Sequence, residues 1–194
     1  MKKLLIAVML TVGFIPAQAS NDYKDLPIYQ ALRDSMRVAF NDADSARFFP
    51  ALSRLEDFLL QQNDLHGYYT QRCNEIVFQM NRQRIIEAFK LARQLSQELR
   101  EKKLDNEMYM AYNMLGHIYR YCGNKEAAKR NFNRVIEMME KAGYYESMPP
   151  IYMNIVNVEL DDDPEEAQRM LDRAREISLK YAPDRVFDIE TRKA

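Results

Sequence analysis

The sequence is poor in the residues that build cross-linked or β-rich folds. It has no tryptophan and only two cysteines, Cys73 and Cys122, among its 194 residues. Two cysteines cannot supply the disulfide framework that stabilises many small exported domains. Glycine is also scarce, and the four that follow the first twenty residues are Gly67, Gly116, Gly123 and Gly143. Tight β-hairpins usually require glycine, so this scarcity disfavours a fold of many short strands.

A dominant sign of charge is missing as well. The chain has 28 basic and 29 acidic residues, and removing Lys2 and Lys3 with the leader described next lowers the basic count only to 26. A nucleic-acid interface needs a basic excess gathered on one face. The near balance therefore predicts that this region does not bind nucleic acid.

The first nineteen residues have the pattern of a cleavable export signal. Lys2 and Lys3 precede an uncharged apolar run at residues 4–15, and Ala17 and Ala19 are the small residues that signal peptidase accepts. A run of about twelve residues is shorter than the roughly twenty that span a bilayer. We expect cleavage after Ala19 and a periplasmic mature chain, with an uncleaved anchor as the alternative. We expect no membrane span after the signal.

The remaining sequence is rich in residues that favour helices, and its apolar residues recur at helical spacing. Four series share nearly the same steps of three and four residues. They are Phe48, Leu52, Leu55 and Leu59; Ile85, Phe89, Ala92 and Leu99; Ala128, Phe132, Val135 and Met139; and Ala167, Leu171, Ala174, Ile177 and Tyr181.

A further helical stretch precedes each series, with a short break between the two. The pattern predicts one all-α domain over residues 20–194, built as four helix-turn-helix pairs at residues 27–62, 64–103, 105–142 and 145–182. The second helices are aligned at residues 48, 85, 128 and 167, and residues 183–194 form a cap or begin another repeat. Asp163 is the expected N-cap before Pro164, whereas Pro50 is expected to delay its helix to about Phe49.

Residues 109–142 resemble one tetratricopeptide repeat (TPR). The residues that carry the resemblance are Leu115, Gly116, Tyr119, Gly123, Ala128 and Phe132. Tyr112 stands where the repeat usually begins with tryptophan, and the closing proline is missing. In the second unit Arg72 and Cys73 take the Leu-Gly position. The resemblance implies a right-handed superhelix of paired helices, in which small residues allow close approach and aromatic rings fill the space between helices.

The same family usually binds peptides in an inner groove lined by the first helix of each pair. Carried onto this sequence, the resemblance gives the candidate binding residues Thr70, Asn74, Asn113, His117, Arg120, Tyr121 and Tyr152. The family's clamp for a C-terminal carboxylate uses paired Lys or Arg with Asn, and only Asn74, Asn113 and Arg120 fit that pattern. A clamp of this kind is therefore not expected.

Reactive residue types do not converge in the sequence pattern. His117 and Cys122 are five residues apart, which places them about 140° apart around a helix. The acidic residues 161–166 suit a turn and a helix N-terminus better than a calcium loop, because the alternating ligand spacing is absent. We expect no catalytic activity, no metal site and no cofactor, and we expect Cys73 and Cys122 not to pair.

Two non-catalytic roles fit these observations. The first is a periplasmic scaffold that binds a protein or peptide. The second is the extracytoplasmic sensor region of a membrane signalling protein, a sensor kinase or a transcriptional regulator, because the chain resembles the N-terminal regions of some bacterial envelope regulators. A downstream membrane helix in the same reading frame would select the second role. The partner and the oligomeric state do not follow from the sequence.

Overall fold

The computed structural model describes residues 21–183, which form an all-α array. The eight helices are α1 (Pro27–Asn41), α2 (Ser45–Gln61), α3 (Leu65–Asn81), α4 (Ile85–Glu101), α5 (Met108–Tyr121), α6 (Lys125–Ala142), α7 (Pro149–Glu159) and α8 (Pro164–Tyr181). Short 3-10 helices at Asn21–Asp25, Asp105–Glu107 and Tyr145–Ser147 precede α1, α5 and α7. The proposed cap or further repeat at residues 183–194 lies, apart from Pro183, outside the described residues.

Six of the seven turns between these eight helices recur at a spacing of 20 residues. Residues with positive φ occur at positions 43, 63, 83, 103, 123 and 143, and only the last two are glycines. Each such residue follows the end of one helix and reverses the chain toward the next. For a residue other than glycine, this left-handed backbone conformation costs about 1 kcal/mol of free energy. Helical packing on both sides therefore holds Ala43, Asn63, Gln83 and Lys103 in place.

Side-chain caps set the start of several helices. The Asp163 carboxylate accepts a hydrogen bond from the Glu166 backbone N–H, which confirms the predicted N-cap before Pro164. The prediction that Pro50 delays α2 is wrong. Asp44 accepts hydrogen bonds from the backbone N–H groups of Ala46 and Arg47. This cap starts α2 at Ser45, and the helix continues through the proline.

The second helices share one buried pattern, but its register differs from the sequence prediction at α4. The pattern begins at Phe48, Ala88, Ala128 and Ala167, so the intervals are 40, 40 and 39 residues. The predicted alignment at Ile85 is wrong by three positions. Ile85 and Phe89 are only partly buried, because Ala88 and Ala92 occupy the positions that face the core. The helices of the first three pairs are 14–18 residues long, which accounts for a period above the usual 34 of the resembled family.

The close approach predicted at Gly116 is present between α5 and α6. A Cβ atom placed on Gly116 would lie 2.5 Å from Cε1 of the buried Phe132 ring. The corresponding residues of the second pair, 40 positions earlier, are Ile76 and Ala92, and both are buried. Ile76, not Cys73, is therefore the counterpart of Gly116. In the third pair the large side chain at this contact is Phe132 of the second helix. In the second pair it is Ile76 of the first helix.

The pairs pack in chain order. Each helix contacts the next along the chain, and α3 also contacts α5, which is the neighbouring first helix. Tyr23, in the first 3-10 helix, covers the start of the array. Its buried ring packs edge-on against Tyr29 and Phe58 at 5.1 and 5.7 Å, and its hydroxyl donates a hydrogen bond to Asp64.

Candidate functional site

The predicted binding residues on α3 are occupied by contacts inside that helix. The Thr70 hydroxyl donates a hydrogen bond to the His66 carbonyl at 2.9 Å. Asn74 Nδ2 donates to Gln71 Oε1, also at 2.9 Å. Both side chains are partly buried, so they offer a ligand fewer hydrogen-bonding groups than the sequence suggested.

A polar contact joins α5 and α7 at His117. Its Nε2 lies 3.4 Å from Asn154 Nδ2, and its ring packs edge-on against Phe132 at 5.3 Å. Burial, with a smaller effect of the Arg120 charge, lowers the pKa of His117 to about 4. His117 is therefore neutral at pH 7, and its Nε2 accepts from the Asn154 amide. Nearby in the sequence, Asn113 Oδ1 is buried without a hydrogen-bond partner.

Tyr152 does not belong to an open surface. It is 5% exposed and lies in the core formed by the last two pairs. Its place in α7 corresponds to Tyr112 in α5, which packs at the start of the repeat. The prediction that Tyr152 faces a groove is corrected accordingly. Of the remaining candidates, Arg120 is exposed and Tyr121 is 55% exposed at the end of α5.

An apolar groove lies where the start of α4 meets the end of α5. Its volume is about 520 Å³. The residues that line it are Ile85, Ile86, Phe89, Lys90, Ile118, Tyr119, Cys122 and Asn124. Ile86 is 69% exposed, which is the highest value among the large apolar side chains of the described chain. We call this site the edge groove, because it follows the turns along one edge of the array.

Two neighbouring rings form one wall of the edge groove. Phe89 and Tyr119 meet edge-on with their centroids 6.0 Å apart. Ile118 beneath them is buried, whereas Ile85 and Phe89 are partly open to solvent. The sequence did reveal Ile85 and Phe89, but as core positions. The adjacent Ile86 gave a further signal, because it lies about 100° around the helix from Ile85 and widens the apolar face of α4 beyond the positions that the core covers.

The equivalent junctions between the other pairs are filled. Between α2 and α3, Phe78 stacks on Phe48 at 3.9 Å and meets Phe49 edge-on at 5.7 Å. Between α6 and α7, ion pairs close the surface. Lys125 Nζ lies 2.5 Å from Asp162 Oδ2, and Lys129 Nζ lies 2.8 Å from Glu159 Oε1. The α4–α5 junction thus differs in being apolar and open.

Other reactive groups have structural surroundings. Burial raises the pKa of the Cys73 thiol to about 12, whereas Cys122 is exposed in the edge groove, and neither is in a disulfide. Within residues 21–183, no three His, Cys, Asp or Glu side chains are placed to hold a metal ion. Glu56 is the most perturbed carboxyl group, because burial raises its pKa to about 7 although Arg72 opposes that shift.

The described surface therefore includes an open apolar groove at the α4–α5 junction and a polar contact between first helices. Such a groove accepts apolar side chains from a partner, and its few polar groups can orient them. No helix in the described part of the chain is long and apolar enough to cross a membrane. A comparison with models of known families finds no match, and a comparison with curated proteins finds none either.

Proposed function

We propose that the protein is a non-catalytic, exported binding module that holds a peptide or protein segment in the edge groove. The observation that carries this proposal is the open apolar junction between α4 and α5, with Ile86 mostly exposed at its rim. The resemblance of residues 109–142 to a TPR supports the same role, because that family usually binds peptides. The proposal moves the main contact from the inner face to the edge of the array.

The free energy available in the edge groove is sufficient for selective binding. Covering one large aliphatic side chain yields about 1.5–3 kcal/mol. Because Ile86 is 69% exposed, covering the exposed part of its side chain would contribute roughly 1–2 kcal/mol to the binding free energy, or about tenfold in affinity. Phe89, Tyr119 and Ile85 add further apolar surface. A segment with one or two large apolar side chains would therefore bind weakly but specifically.

The surroundings of His117 give no support to catalysis. A general base works best with a pKa near the operating pH. Burial holds the pKa of His117 at about 4, and its side-chain hydrogen-bond contact is with the Asn154 amide, which is neither a nucleophile nor an acid. We therefore assign this pair a role in joining α5 to α7.

The proposal is tested by selecting random peptides on the mature protein and measuring their affinities for two variants. Ile86→Asp places a charge in the groove, and we expect at least a tenfold loss of affinity. Leu179→Asp is the matched control, because Leu179 is 59% exposed on α8, far along the chain from the groove. It should leave the affinities unchanged. Circular dichroism melting checks that both variants fold.

A third variant separates the edge groove from the inner face. Asn113→Ala changes the inner face of α5 and leaves the groove residues intact. If Asn113→Ala removed binding while Ile86→Asp did not, the site would lie on the inner face and the groove proposal would be wrong. Tyr152 is unsuitable for this purpose, because it is buried in the core and its truncation would destabilise the fold.

A further inference from the structure

The edge groove contains a cation, Lys90, that no acidic side chain in the described part of the chain neutralises. Among the described residues that line the groove, Lys90 is the only charged one. Within residues 21–183 it forms no ion pair. At the α6–α7 junction, by contrast, Lys125 and Lys129 pair with acidic residues of the same chain. The open junction therefore combines apolar walls with one unpaired positive charge.

The neighbouring polar groups at the groove also favour an acceptor. The Asn124 side-chain carbonyl already accepts a hydrogen bond from the Ala127 backbone N–H at 3.0 Å. The N–H groups of the Asn124 side-chain amide are therefore available to donate hydrogen bonds to a ligand. The Lys90 ammonium is a donor without acceptor capacity, and the Tyr119 hydroxyl is able to donate. A negatively charged ligand group that accepts hydrogen bonds therefore complements the Asn124 amide, the Lys90 ammonium and the Tyr119 hydroxyl.

We propose that the segment held in the edge groove carries an aspartate or glutamate side chain next to a large apolar side chain. The apolar side chain lies against Ile86, Phe89 and Tyr119, while the carboxylate accepts hydrogen bonds from Lys90 and Asn124. This inference rests on the proposed function, and it specifies the chemistry of the ligand.

The physical basis is charge complementarity at the rim of an apolar groove, where Lys90 is exposed to solvent in the free protein. An apolar ligand that covers the groove also removes water from the Lys90 ammonium. Without a carboxylate, that ammonium loses hydration and gains no partner. A basic ligand would add repulsion, and such like-charge contacts exclude wrong partners. The position of Lys90 therefore selects among apolar segments by their charge.

The test uses random twelve-residue peptides displayed with their C-termini fused to the coat protein, so that side chains supply the only available carboxylates. Peptides are selected on the wild type, and those that fail to bind Ile86→Asp are retained. We expect these peptides to contain Asp or Glu within two residues of a large apolar residue. Their affinities should fall at least fivefold for Lys90→Glu. A parallel selection on Lys90→Glu should enrich Lys or Arg instead.

Arg93→Glu is the matched control, since Arg93 is exposed on the same helix and does not line the groove. It should change neither the selected sequences nor their affinities. Retained peptides without acidic residues, or with equal affinity for Lys90→Glu, would overturn the inference and leave the binding function standing. If every selected peptide binds Ile86→Asp as well as the wild type, the proposal that the edge groove binds a segment is wrong. The acidic preference is then wrong as well.

Discussion

Gly116 gives the most direct test of the packing between α5 and α6. Replacing it by alanine would place a methyl group 2.5, 2.8 and 2.9 Å from three carbon atoms of the Phe132 ring. Phe132 is fully buried, so the ring has little room to move. Overpacking of this kind costs about 1–3 kcal/mol. Alanine has a higher helix propensity than glycine by about 1 kcal/mol, and this gain partly offsets the steric cost.

The steric effect should exceed the gain in helix propensity. We expect Gly116→Ala to lower the free energy of unfolding by up to about 2 kcal/mol. In a domain of this size, that change lowers the melting temperature by up to roughly 8 °C. Urea unfolding followed by circular dichroism measures the free energy, and the melting curve gives the temperature shift.

A double-mutant cycle identifies the cause. In a Phe132→Leu background the ring is gone, and Gly116→Ala should become neutral or stabilising by up to about 1 kcal/mol. The sign of the effect should therefore depend on residue 132. A stabilising effect of Gly116→Ala in the wild-type background would refute the close-packing explanation.

Two other predictions concern pH and export. The pKa of Glu56 is raised to about 7 in the fold from an ordinary value of 4.5, so its ionisation opposes folding as pH rises through that interval. After allowance for solvent screening and for Arg72, Glu56→Gln should be about 1 kcal/mol more stable than the wild type at pH 8 and nearly equal at pH 4.5, by urea unfolding. A constant difference across this range would exclude Glu56 as the cause. For export, N-terminal sequencing of periplasmic material should begin at Ser20, and Ala19→Asp should block cleavage; a mature chain that still begins at Met1 would contradict the signal assignment.

The helical class and the pairing were accessible from the sequence because the buried positions are periodic. Alanine, however, occupies the core in α4. The apolar spacing of Ile85 and Phe89 therefore resembles a core pattern, although Ala88 and Ala92 occupy the core-facing positions. Small core residues carry little hydrophobic signal, so a groove wall and a core face look alike in the sequence. The sequence pattern therefore does not reveal the edge groove.

The inner-face candidates were harder to predict because they depend on neighbouring repeats. The sequence pattern places Tyr152 among the groove residues, but in the structure it takes the place of Tyr112, 40 residues earlier, and lies in the core of the last two pairs. The contact between His117 and Asn154 joins two pairs, so no single repeat reveals it. Left-handed turns at Ala43, Gln83 and Lys103 also lack the glycine that would mark them.

The regular 20-residue spacing of the turns has a consequence for how the chain folds. Each helix makes its main contacts with helices next to it or one further along the chain. Folding thus requires closure of short loops only, which corresponds to low contact order and rapid folding. Stability in such an array is approximately a sum over units and their interfaces, so opening begins at the ends. The edge groove lies between the second and third pairs, away from the ends of the array where this opening begins.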